Sequence, residues 1–118
     1  MATKIETPHT GGFIVSESNG SRSRTAITVL AGGVLEVGQL YVLDGAEKAI
    51  PYTDGATVAG IAWDKYDATL NDVEGAGVVR DAEVNEAELV VFAGATATQI
   101  KTAMTGLEAL GIIARKGA

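Results

Sequence analysis

Three sets of residues in this sequence could do chemistry, and each falls short on spacing. The one histidine, His9, is the only side chain whose ordinary pKa suits a general base near neutrality. It stands in a leading segment rich in Thr, Ser, Gly and Asn. A Ser-His-Asp set would therefore borrow its base from a tail, whereas nucleophilic catalysis holds base and nucleophile rigidly together. Asp64, Asp67, Asp72 and Glu74 could offer oxygen ligands, but they lack the central glycine and closing glutamate of a calcium loop. A solvated acidic face is their expected role. Gly75-Ala76-Gly77 is a bare pair without the third glycine of a dinucleotide fingerprint, and no Gly-Lys-Ser or Gly-Lys-Thr follows any glycine loop. It reads as a strand bend rather than a phosphate cradle. With no cysteine, disulfides and thiolate metal sites are excluded. The census specifies no reaction, so the expectation is a protein that is not an enzyme and has no metal and no cofactor.

The elements that would have to position such residues are short. The 118 residues suffice for one domain, and 47% of them are hydrophobic. Only 5% are aromatic and 15 are glycine, so the core must be built from Ala, Val, Ile and Leu. From Thr25 onward, brief apolar runs alternate with turn signals: Thr25 to Leu30 before Gly32-Gly33, Leu40 to Leu43 before Asp44-Gly45, Lys48 to Tyr52 before Asp54-Gly55. Ala56 to Trp63, Ala76 to Arg80 and Glu88 to Phe92 read as further strands, with Gly60, Gly75 and Gly77 marking bulges or bends. Trp63, at the end of its run, is expected in the core or at a subunit interface. Ile100, Ala103, Met104, Leu107 and Leu110 then share one face at helical spacing. Thr96 or Thr98 caps that helix, Gly111 ends it, and Gly106 is a candidate interruption. Ile112 to Arg115 reads as a last strand. The predicted fold is mainly β with one C-terminal helix, arranged as a bent barrel over 25–118.

Residues 1–24 read differently. Their one clear apolar run is Phe13-Ile14-Val15, and such a composition does not offset its own ordering entropy, so they form an extended arm until a partner holds them. They carry one net positive charge and the rest of the chain seven net negative, within a total of −6. An acidic body repels phosphate backbones, which predicts no nucleic-acid partner. Residues 1–10 have neither the basic start nor the apolar core of a signal peptide, and no apolar run reaches the roughly 18 residues of a membrane span. No membrane association and a cytosolic folding route are the expectations.

The order of motifs goes further than composition. Ser16-Glu17-Ser18-Asn19-Gly20-Ser21-Arg22-Ser23-Arg24, with the strand that follows, resembles the leading segment of lambda-type phage head decoration proteins. Gly33 to Leu40, Asp54-Gly55 with Ala59-Gly60-Ile61-Ala62, Arg80 to Asn85, and Leu110 to Arg115 resemble later elements of that family in the same order. The likeness covers roughly residues 13 to 115. It implies a β-clip-like body that assembles as a homotrimer on the outer surface of an expanded head, made in the host cytoplasm. There it would clamp neighbouring major capsid protein subunits against the pressure of packaged DNA. On this resemblance, Phe13, Ile14, Val15 and Ser16 add a strand to a capsid sheet. Arg22 and Arg24 either anchor the arm to capsid carboxylates or simply keep it soluble. A different virion module, such as a tail or fibre component, and a trimeric β-clip enzyme of the deoxyuridine triphosphatase type remain the alternatives.

Overall fold

In the first long strand, β2 (Arg24–Val29), Ile27 and Val29 point inward and alternate with Ala26 and Thr28 outward, the period that a half-buried strand requires. The computed structural model describes residues 12–17 and 23–115. β2 pairs antiparallel along its whole length with β8 (Val73–Val78), from Arg24↔Val78 to Val29↔Val73. The ladder continues through β6 (Gly60–Ala62), β4 (Leu40–Leu43) and β5 (Ala49–Pro51), and β5 returns to β2 by a parallel contact at Val29↔Ala49. Five strands thus close a barrel in the order β2-β5-β4-β6-β8. Closure removes the open sheet edges that would otherwise be available for aggregation. β3 (Gly33–Leu35) and β7 (Tyr66–Ala68) form a two-stranded ribbon, and β1 (Ile14–Glu17), β9 (Ala82–Asn85) and β10 (Ile112–Arg115) form a separate sheet with β9 at its centre.

Two cores share β4 as their common wall. Tyr41 faces Ile27, Val29, Leu35, Ala49, Ala62 and Ala68 inside the barrel. Leu40 and Val42, pointing the other way, join Val58, Ile61, Val84, Leu107 and Ile112 in a second core under the helix. That helix, α1 (Ala97–Ala109), is opened by a capping box: the Thr96 hydroxyl accepts the Gln99 N–H, and the Gln99 side chain accepts the Thr96 N–H. Gly111, at φ 85°, closes it. α1 runs unbroken through Gly106, where a methyl group would stand 2.8 Å from Val58 Cγ1. The glycine is there for close approach, not as an interruption.

Several elements differ from the sequence reading. Glu88 to Phe92 is not a strand: a 3-10 turn at Glu86–Glu88 replaces its start, and only Val90 makes an isolated parallel bridge to Gln39. Ala56 to Ala59 lies outside β6, and β1, β3, β7 and β9 are additional. Gly75 and Gly77 sit in a β8 whose register against β2 never slips, so they are not bulges. They make room for rings. A methyl on Gly75 would meet the Tyr66 ring at 2.5–2.8 Å, and one on Gly77 or Gly60 would collide with Tyr41. Tyr66 is fixed there by accepting the Ala76 N–H at 2.9 Å and donating to the Ala76 carbonyl. Burial pushes the Tyr41 hydroxyl well above its ordinary pKa, and nearby Tyr66 acts in the same direction.

At one end of the barrel, Asp72 ties three connections together. It accepts the Ala31 N–H at 2.8 Å and the Lys48 ammonium at 2.6 Å. The Lys48 contact, first, and the Ala31 N–H hold the Asp72 carboxyl below the usual carboxylate range. Such a group adds stability above the ordinary carboxylate pKa of about 4 and loses it as pH falls through the depressed folded value. Replacing Asp72 by Asn should therefore shrink the loss of urea resistance between pH 6 and pH 3; an undiminished loss would remove Asp72 from the acid response. Gly77→Ala should cost about 1–3 kcal/mol by forcing the Tyr41 ring aside. Tyr41→Phe in the same chain should return part of that in a double-mutant cycle.

Candidate functional site

β1 is the first element of the described chain and the least expected. Phe13 precedes it and is 1% exposed. Its ring meets Trp63 edge-on, with centroids 6.4 Å apart and planes at 75°. Gly38 lies against it at φ 79°, a conformation suited to glycine, and a methyl there would stand 2.7 Å from the Glu88 carbonyl and 3.4 Å from the Phe13 ring. The Phe13 carbonyl accepts the Asn85 N–H at 2.8 Å. Phe13 is therefore a plug in the second core, and it fixes where the leading segment joins the body.

From that plug, β1 runs antiparallel to β9, pairing Ile14↔Val84, Ser16↔Glu83 and Glu17↔Ala82, with a register shift between Ile14 and Ser16. Ile14 packs partly buried against the core, while Val15 stands outward at 46% exposure. Ser16 contributes backbone pairing to the ladder. Arg24, at the start of β2, holds its guanidinium 3.9 Å from the centre of the Trp63 ring, a cation–π contact that completes a Phe13–Trp63–Arg24 stack. Arg22 lies outside the described residues, as do 1–11 with His9. Of the six residues expected to meet a partner, the structure places Phe13, Ile14, Val15 and Ser16 in or next to β1, with Phe13 turned inward and Val15 outward, and Arg24 on the barrel strand β2, linked to Phe13 only through Trp63.

The outer face of this sheet holds side chains that the sequence reading did not select. Ile113 is 41% exposed beside Glu83, its register partner. Arg115 makes a two-pronged bond to Glu83, Nε to Oε2 at 2.8 Å and Nη2 to Oε1 at 3.1 Å, and this carboxylate raises the Arg115 pKa further. The signal was present in the alternation of β9, where Ala82 and Val84 are buried and Glu83 and Asn85 are less so. Among the described residues no strand pairs with the outer side of β1, the last strand of its sheet. The site offers backbone donors and acceptors along the β1 edge, where Val15 points outward, and Ile113 stands outward on β10 at the other side of the sheet. Such an edge suits the addition of an extended segment. The carboxylates considered for ligation have other partners: Asp64 accepts the Lys65 N–H, Asp67 the Thr69 N–H and hydroxyl, Glu74 the Thr28 hydroxyl across the β2–β8 ladder, and Asp72 the bonds given above. Among the described residues no three His, Cys, Asp or Glu gather as a metal site.

Phe13→Ala tests the plug. A residue in a solvated arm would change stability by less than about 0.5 kcal/mol. Loss of a buried ring should cost about 3–5 kcal/mol in urea unfolding and shift the emission of Trp63, the sole tryptophan.

A family model described as bacteriophage lambda head decoration protein D matches residues 3–112. That span takes in β1, the whole barrel, the helix and the start of β10. No curated protein matches the chain directly.

Proposed function

The chain belongs to the bacteriophage lambda head decoration protein D family, whose members are structural proteins of the phage capsid, and from that membership we propose a cementing role for it as a homotrimer. On this reading the trimer sits on the outer surface of the expanded head and clamps neighbouring major capsid protein subunits against the pressure of packaged DNA. The acidic body faces away from that DNA, in keeping with a net charge of −6. Host cytoplasmic synthesis and a body of the β-clip class belong to the same proposal. No helix among the described residues is long and apolar enough to cross a membrane.

The observation that carries the docking mode is the edge of β1. A capsid strand adding to its outer side would lengthen the β1-β9-β10 sheet, with backbone hydrogen bonds giving hold and outward Val15 helping to choose register. Phe13 acts from inside, as the anchor through which the arm pulls on the body. Residues 1–24 remain the proposed capsid-binding unit, with Arg22 and Arg24 as its basic members. Three arms on one trimer act through effective concentration, so that modest individual docking gives durable attachment.

The truncation that tests this removes residues 1–11, because it leaves Phe13 and β1 in place. A second variant, Val15→Asp, alters only an outward side chain. Cosedimentation with empty expanded heads should show binding at least tenfold weaker for each, about 1.4 kcal/mol. Thermal unfolding of Val15→Asp should stay near that of the parent. Unchanged head binding by both would reject the arm and edge as the contact.

A further inference from the structure

The chain holds two Asp-Gly pairs, Asp44-Gly45 and Asp54-Gly55, in the two turns that flank β5. In such a pair the aspartate Cγ and the peptide nitrogen that follows it can close a five-membered ring. Glycine leaves that nitrogen unshielded and gives the backbone the freedom that ring closure needs. By sequence the two pairs are equivalent; their surroundings are not. Asp44 is half-buried, and its Oδ1 accepts two N–H groups, from Ala46 at 2.8 Å and from Lys48 at 2.9 Å. Its main chain is bonded as well, the N–H donating to the Lys48 carbonyl and the carbonyl accepting the Glu47 N–H, both at 2.9 Å. A carboxylate used in this way is part of the turn itself. Turning its Cγ onto the Gly45 nitrogen would first break both side-chain bonds, in a connection that Lys48 also ties to Asp72.

Asp54 and Gly55 stand free at the tip of their turn. Both are exposed, and among the described residues no hydrogen bond reaches the Asp54 carboxyl or the Gly55 N–H. Gly55 has φ 84°, and nothing beyond its chain neighbours lies within 4 Å of where a methyl group would stand. One bond closes the turn, from the Ala56 N–H to the Thr53 carbonyl at 3.1 Å. Buried Tyr52 and Val58 hold the chain on either side, so the tip is offered to water while its ends stay fixed.

We propose that Asp54 is a site of spontaneous backbone isomerisation in the folded protein, with Gly55 supplying the nucleophile and water the only co-reactant. The Gly55 nitrogen bonds to Cγ of the Asp54 carboxyl in its acid form and gives up its proton, and one carboxyl oxygen leaves as water. A second water molecule opens the succinimide ring. Cleavage of the bond from Cγ to nitrogen restores aspartate. Cleavage of the bond from the main-chain carbonyl carbon to nitrogen gives isoaspartate, with a free α-carboxyl and a main chain that runs through the former side chain. Nothing is oxidised or reduced and no mass is gained, but the turn between β5 and β6 becomes one main-chain carbon longer.

Tryptic mapping of the full chain after folded incubation at mildly acidic pH separates the two pairs, since Asp44 is the only aspartate of peptide 25–48 and Asp54 lies in peptide 49–65 with Asp64. Asn19-Gly20 gives the same product by deamidation, but with a change of mass and in peptide 5–22. A second peak of unchanged mass should grow from peptide 49–65 about tenfold faster than from peptide 25–48, because two hydrogen bonds hold one carboxylate and none the other. Electron-transfer fragmentation should place the isoaspartate at residue 54. Asp54→Glu, whose longer side chain would have to close a larger ring, should abolish the peak. In urea, where neither turn persists, the two peptides should convert at similar rates. No second peak from the folded chain, equal conversion of both peptides, isoaspartate at residue 64, or the same ratio in urea as in the folded chain would each overturn the proposal.

Discussion

The barrel depends on the fit of one tyrosine ring against two glycines. Tyr41 projects from β4 into the space where β6 and β8 must pass, and they pass because Gly60 and Gly77 present no side chain to it. With the ring seated, β4 is committed to facing inward with Tyr41 and outward with Leu40 and Val42, and the alternation of a strand puts those two on the opposite side. That opposite side is the floor of the second core. The helix, the β9 sheet and Phe13 all rest on it, so the docking edge is built on a surface whose position the barrel interior decides.

Aromatic residues are few, yet each sits at a junction. Phe13 and Trp63 join the leading segment to the barrel wall, Tyr52 and Phe92 approach at 6.0 Å where the segment after β9 meets the barrel, and Tyr66 spans from the β3–β7 ribbon to β8. A core made chiefly of small aliphatic residues has fine grain and few long-reaching contacts. Rings supply the reach, and the glycines opposite them supply the clearance.

Legibility in the sequence followed the strength of local signals. β2, β4 and the helix were readable because period, turn residues and caps agreed, and Thr96 and Gly111 act as their types predict. Gly75 and Gly77 misled because a glycine vacated for a ring and a glycine required by a bend are identical in one dimension. Only the ring, distant in sequence, tells them apart. Leu89 to Phe92 has the composition of a strand but no partner beyond Val90, since strand formation is settled by neighbours more than by propensity. Phe13 stands among polar residues whose composition suggests an arm. Its burial depends on Gly38, Trp63 and Glu88, and no pattern near residue 13 announces them.

The β1-β9-β10 sheet also sets how force travels. Ile14, Val84 and Ala114 form one row across its three strands, with β1 antiparallel and β10 parallel to β9. The start of β1 and the finish of β10 therefore lie at the same end of the sheet, so the chain enters and leaves the described body side by side. Tension arriving along the axis of β1 loads its bonds to β9 in shear, all at once, instead of peeling them one by one. β9 hands that load through a short connection to β8, the longest-paired strand of the barrel. A cargo fused after Arg115 would hang beside the same tether that bears the load.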